Sequence, residues 1–138
     1  MPQEIIDYIN TEKVGVLAVQ MLDKAPHAAA IHFAHSTDPF VFYFETGKGT
    51  MKAQSVLKNG STKASFVLSN VEVMKTLQLD GDVALTNDQL IKDIFFAKFP
   101  NKKTSYDPDK HILLIFKPTW WRFTDFKAEG GKRIISSE

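Results

Sequence analysis

The chain has 138 residues, enough for one domain with a real hydrophobic core, and its 43% hydrophobic and 24% charged residues exclude a disordered chain. Seventeen Lys and Arg against 16 Asp and Glu leave a formal charge of +1, so charge gives no reason to expect a nucleic-acid or acidic-membrane partner. The absence of cysteine excludes a disulfide scaffold, thiolate metal sites and a cysteine nucleophile.

The chain opens with a short predicted helix, Pro2 at its start and Ile5, Ile6 and Ile9 on one face, ending near Asn10. Glu4 and Asp7 in this segment do not make the basic start of a signal peptide, and no apolar run reaches the ~18 residues of a membrane span. A cytoplasmic protein is therefore expected. Lys13–Met21 is an almost continuous apolar run, which predicts a strand buried on both faces. A turn at Asp23-Lys24 predicts a hairpin to a second strand, Ala25–His35. After a turn at Ser36–Pro39, Phe40–Glu45 predicts an aromatic third strand.

Thr46–Thr50 reads as a loop into a short helix over Met51–Lys58, with Ala53, Val56 and Leu57 as its buried stripe and Asn59-Gly60 as its stop. Thr62–Ser69 and Lys75–Thr86 predict two more strands; the second has Leu77, Leu79, Gly81, Val83 and Leu85 on one face. A helix from Asn87 or Asp88 to Phe99 follows, with a Thr86/Gln89 capping box and a stop at Pro100. Lys102-Lys103 then reads as a solvated loop. His111–Lys117 and Trp120–Phe126 predict one long or broken strand before a Gly130-Gly131 tail. Eleven Phe, two Trp and three Tyr suit the faces and core of such a sheet. With no linker or repeat, residues 1–138 read as one domain: mainly β, a six-stranded antiparallel split barrel with a few short peripheral helices.

Few catalytic constellations are available. His27, His32 and His35 lie on one predicted hairpin, with residues 32 and 35 on opposite faces, so no metal site is expected. No GxSxG elbow supports a hydrolase, and Asp80 and Asp82 sit on the polar face of a strand. The loop Thr46-Gly47-Lys48-Gly49-Thr50-Met51-Lys52 is more informative. It lacks Walker A spacing, but it joins a strand end to a helix start with two hydroxyls and nearby lysines. Two readings stay open on these residues: a surface turn in which Thr50 caps the helix, or a phosphate cradle in which Lys52 is the countercharge.

The order of these segments from about Val14 to Phe126 resembles the pyridoxamine 5′-phosphate oxidase-like family of flavin mononucleotide (FMN)-binding split barrels. The likeness is carried by Phe40–Glu45, then Thr46-Gly-Lys-Gly-Thr-Met-Lys52, the helix end Leu57-Lys58-Asn59, and Leu77–Gly81. Trp121-Arg122-Phe123-Thr124-Asp125 with a later Gly-Lys is similar to a subgroup of small bacterial members. The resemblance implies a homodimer with two FMN sites at the subunit interface, and redox chemistry on a small molecule. Carried over, Thr46, Thr50 and Lys52 would hold the phosphate, with Met51 where members carry Arg or Lys. Ala30, Ile31 and His32 would lie along the ring system, Glu45 beside it, and His32 could relay a proton. Thr76, Trp121 and Arg122 would come from the second copy; of the adjacent Trp120 and Trp121, at least one is expected to be structural. The basic residues that pyridoxamine phosphate oxidases place on the second strand are missing, so oxidation of that vitamin is not expected. The alternatives on the same barrel are a haem protein using His27, His35 or His111, a deazaflavin protein, a flavin carrier, or a cofactor-free dimer.

Overall fold

The computed structural model describes residues 1–138, and its backbone is organised by one antiparallel eight-stranded sheet. In chain order the elements are α1 (Gln3–Thr11), β1 (Val14–Gln20), β2 (Pro26–His32), β3 (Ala34–Ser36) and β4 (Val41–Gly47). A 3₁₀ turn at Met51–Ala53 leads into α2 (Gln54–Asn59), then β5 (Ser61–Asn70) and β6 (Lys75–Thr86). Helices α3 (Gln89–Lys98) and α4 (Pro100–Ser105) precede β7 (His111–Asp125) and β8 (Arg133–Ser136). The strand order is β2-β1-β5-β6-β7-β4-β3, with β8 paired to β7. Its two end strands, β2 and β3, follow one another in the chain, so the sheet curls into a barrel that stays split there. This is the expected mainly-β split barrel.

Phe33 is the corner. Its amide donates to the Lys13 carbonyl, the last bond of the β1–β2 ladder, and Ala34 then pairs with Tyr43 on β4. Its ring, fully buried, packs on Phe42 and Phe66. The continuous second strand expected over Ala25–His35 therefore divides, because burying Phe33 carries the chain from one sheet edge to the other. That division and β8, where a tail was expected, make the strand count eight rather than six.

Phe66 stands at the centre of the core, with Phe33, Phe42, Phe44 and Phe116 all within 5.0–6.3 Å between ring centroids. Gly15 on β1 makes room for it: a Cβ there would lie 2.4 Å from the ring. Helix α1 closes one end with Ile5, Ile6, Tyr8 and Ile9. A second cluster lies outside the barrel, where Ile91, Phe95 and Phe96 of α3 cover Val41, Tyr43 and Leu113.

Burial on β1 alternates, contrary to the expectation of two buried faces. Leu17 and Val19 point inward, whereas Val14 and Val16 are 46% and 45% exposed, because only one face of β1 meets the core of its own chain. Leu57 and Leu85 are also exposed rather than core. Strand β7 runs unbroken through Pro118: the register shifts between Asp80 and Gly81, leaving Thr119 as the extra residue of a bulge that tolerates a proline. Helix α3 is capped by the Asp88 carboxylate, which accepts from the Leu90 amide, in place of the Thr86/Gln89 box. Pro100 ends α3 and also starts α4, where a missing amide hydrogen costs nothing, so Lys102 and Lys103 lie on a helix.

Candidate functional site

Strand β4 delivers adjacent residues to opposite faces. Thr46 points into the barrel side and is buried, while Glu45 faces the α3–α4 side. Beyond Gly47 the loop folds back on itself. The Thr50 hydroxyl donates to the Gly47 carbonyl at 2.9 Å and lies 3.3 Å from the Thr46 hydroxyl. The Gln54 side-chain amide donates to the carbonyls of Lys48 and Thr50, and the Lys48 amide donates to Lys110 on the approach to β7. Thr50 does not cap the following turn with its side chain. The expected Thr50 cap is therefore absent, and the segment is a turn tied down by its own hydrogen bonds, with its two hydroxyls facing one another.

Lys52 is partly buried beside this loop, and burial pulls its pKa down while the Glu45 carboxylate opposes the shift. Met51 turns away: it is 57% exposed, at a hollow lined also by Leu22, Pro26 and His27.

Glu45 gathers a cluster that proximity in sequence does not reveal. Its side chain is 12% exposed, with Lys102 Nζ at 4.0 Å from one carboxylate oxygen and His111 Nε2 at 3.9 Å from the other. His111 Nδ1 accepts from the Asp107 amide at 2.9 Å, which fixes the neutral ring with its proton on Nε2, toward Glu45. Tyr106 stacks on His111 with centroids 5.8 Å apart, and burial followed by the Glu45 charge raises the pKa of its hydroxyl. His32 stands edge-on to Phe99 at 5.1 Å. Its pKa is lowered, first by burial and next by Lys102, with Glu45 opposing. Lys102, expected in a solvated loop, and Tyr106 reach the site because Pro100 starts α4 as well as ending α3; a proline with a helix-compatible sequence after it is also a start signal.

Strand β2 adds an open edge. Phe33 bonds to Lys13, and Met21 bonds to Ala25, across the β1–β2 ladder. By the alternation of an antiparallel pair, the amides and carbonyls of Ala28, Ala30 and His32 point away from β1, where no strand pairs with them. Ile31 sends its side chain into the core, so only its backbone is near this edge.

The remaining sequence-derived residues lie elsewhere. Glu45 is opposite Leu113 on β7, whereas Thr76 is opposite Thr124, eleven residues further along that strand. At ~3.3 Å per residue this is about 36 Å of strand. Trp121 and Arg122 are at that far end too, with Arg122 over the Trp120 ring. One chain thus sets His32, Glu45 and Lys52 within range of one another beside the Thr46–Thr50 loop, packs the Met51–Ala53 turn against β2, on which Ala30 lies, and keeps Thr76, Trp121 and Arg122 apart from them.

A family model described as pyridoxamine 5′-phosphate oxidase matches residues 1–125. No curated protein matches the chain in sequence. Among solved structures, the chain is similar to a general stress protein 26 from a Jannaschia species, at 24% identity and TM-score 0.74, covering 93% of this chain and 80% of that one. It is similar to a heme-binding protein from Mycobacterium smegmatis at 12% identity and TM-score 0.75, covering 94% of this chain and 54% of that one. It is also similar to a pyridoxamine 5′-phosphate oxidase-related, FMN-binding protein from Nostoc punctiforme at 16% identity and TM-score 0.64, covering 88% and 78%.

Proposed function

This chain belongs to the pyridoxamine 5′-phosphate oxidase family, and from that premise we propose that it is an FMN-binding flavoprotein, an oxidoreductase of a small molecule working as a homodimer. The observation that carries the proposal is the convergence of Thr46, Thr50 and Lys52 beside the unpaired edge of β2.

The donor set fits a flavin nucleotide. Two hydroxyls 3.3 Å apart and one lysine suit a phosphate, and a Cβ built on Gly49 in the same loop meets nothing within 4 Å. The Thr50 proton now spent on the Gly47 carbonyl can turn to a phosphate oxygen, since a hydroxyl rotates freely. The free amides of Ala30 and His32 can donate to the carbonyl and ring-nitrogen edge of a planar heterocycle. When bound, the flavin would supply hydride transfer at its N5. The chain's own task is then to orient that ring, exclude water and hold charge. The lowered pKa of His32 keeps its ring neutral near pH 7, where it can accept a proton. Strand β2 carries no Arg or Lys, which disfavours a phosphorylated vitamin B6 substrate.

Two features support the homodimer. Val14 and Val16 of β1, with Ala28 and Ala30 of β2, leave an apolar sheet face exposed in one chain. In addition, Trp121, Arg122 and Thr76 stand eight to eleven residues along β7 from Leu113, the partner of Glu45, which is about 26–36 Å of strand, so a second copy is the route by which they would reach the Lys52 site.

The test is a fluorescence titration of FMN against wild type and Lys52→Ala. Loss of one charge-assisted contact should weaken binding on the order of tenfold. Equal affinity of the two proteins would remove Lys52, and the seat built around it, from the account.

A further inference from the structure

No hydrogen bond reaches either oxygen of Glu45, although its side chain is only 12% exposed. Its nearest neighbours, the Lys102 ammonium and the Nε2–H group of His111, stand at 4.0 and 3.9 Å, close enough for attraction and too far for a direct hydrogen bond. Lys52 and His32 lie within range of the same charge. Neither oxygen is sealed from solvent, so the carboxylate holds its neighbours by charge at a distance rather than by direct bonds. Lys102 comes from α4, His111 from β7 and Lys52 from the 3₁₀ turn after β4, three separate elements around one carboxylate.

We propose that Glu45 is an internal stand-in for an anion: it holds Lys52, Lys102 and His111 around a seat for a phosphate group and competes with that phosphate when it arrives. Glu45 is then a brake on affinity rather than a contact of the ligand, and Lys102 is a binding cation from outside the loop. The inference rests on reading the loop as an anion seat, and it holds whether the anion is a flavin's phosphate or free phosphate.

The geometry sets the sign of the test. Glu45→Gln keeps the shape and removes the charge, so the two lysines and the His111 N–H face the incoming phosphate unopposed. Removing one unit charge from a partly buried site of this kind corresponds to on the order of tenfold in affinity at low salt. The probes are FMN, riboflavin, which lacks the phosphate, and inorganic phosphate followed by phosphorus NMR. Glu45→Gln should bind FMN and inorganic phosphate about tenfold more tightly than wild type and leave riboflavin unchanged. Lys102→Gln, on the face of α4 turned toward Glu45, should weaken both phosphate-bearing probes while leaving the fold intact. Tighter phosphate with no FMN binding by either protein would uphold the proposal and remove the flavin. FMN and phosphate bound equally or more weakly by Glu45→Gln would overturn it. So would an equal gain for riboflavin, which would place Glu45 beside the ring.

Discussion

Lys98 Nζ donates a 2.9 Å hydrogen bond to the carbonyl of Glu12, 86 residues earlier, and lies 4.0 Å from the centroid of the Phe33 ring. One side chain therefore ties the end of α3 to the residue that caps α1, across the Phe33 corner. Burial, then Lys13, lowers its pKa to about 8. A lysine whose folded pKa is depressed binds protons more weakly folded than unfolded, so between pH 8 and its ordinary value near 10.5 stability rises with pH.

Wild type should consequently gain stability relative to Lys98→Met as pH goes from 7.5 to 9.5. The gain should be on the order of 1 kcal/mol after allowance for solvent screening of a half-exposed ammonium. Urea unfolding at several pH values reads it directly. A difference that stays constant with pH would mean that this ammonium is not desolvated.

Gly81 is the residue on which the long β6–β7 ladder turns. A Cβ there would lie 2.1 Å from the Lys117 carbonyl oxygen, and backbone cannot swing aside as a side chain can. Gly81→Ala should cost at least about 2 kcal/mol. A chemical-denaturation midpoint equal to wild type would show that the bulge opposite Thr119 is looser than it is drawn.

Phe66 meets four other phenylalanine rings at the barrel centre. Truncation to alanine leaves a cavity that strands fixed by their ladders cannot fill, and should cost ~3–5 kcal/mol. The milder Phe66→Leu should cost clearly less. Equal costs for both substitutions, measured by thermal unfolding, would argue against a rigid core.

Much of this fold was legible because its strands pair near neighbours. The alternation Leu77, Leu79, Val83 appears as buried residues at 0%, 1% and 0% exposure, and the first hairpin pairs Val14 with His32. What failed were positions whose state depends on distant chain. Phe33 breaks a strand because Phe42 and Phe66 bury it, and Leu57, expected in the buried stripe of α2, is left 38% exposed. The candidate site divided in the same way. Thr46, Thr50 and Lys52 lie within one loop and could be read together. Lys102 and His111 reach Glu45 from more than 50 residues away, which no local pattern encodes.

The proposed dimer places β1 in an interface. Val16, at 45% exposure in one chain, would then be covered, and an aspartate there would be desolvated without a partner. Val16→Asp should give a monomer by light scattering and should lose FMN affinity together with the second copy's residues. A dimeric Val16→Asp protein would move the interface elsewhere.

Whether this barrel holds FMN is read from the absorbance spectrum of the freshly purified protein, recorded again after excess FMN is added and the unbound fraction removed. The two visible bands of an oxidised flavin are expected, retained through the wash and diminished in Lys52→Ala. A Soret band would assign the barrel to haem, and a colourless protein that holds no added FMN would contradict the proposed FMN binding.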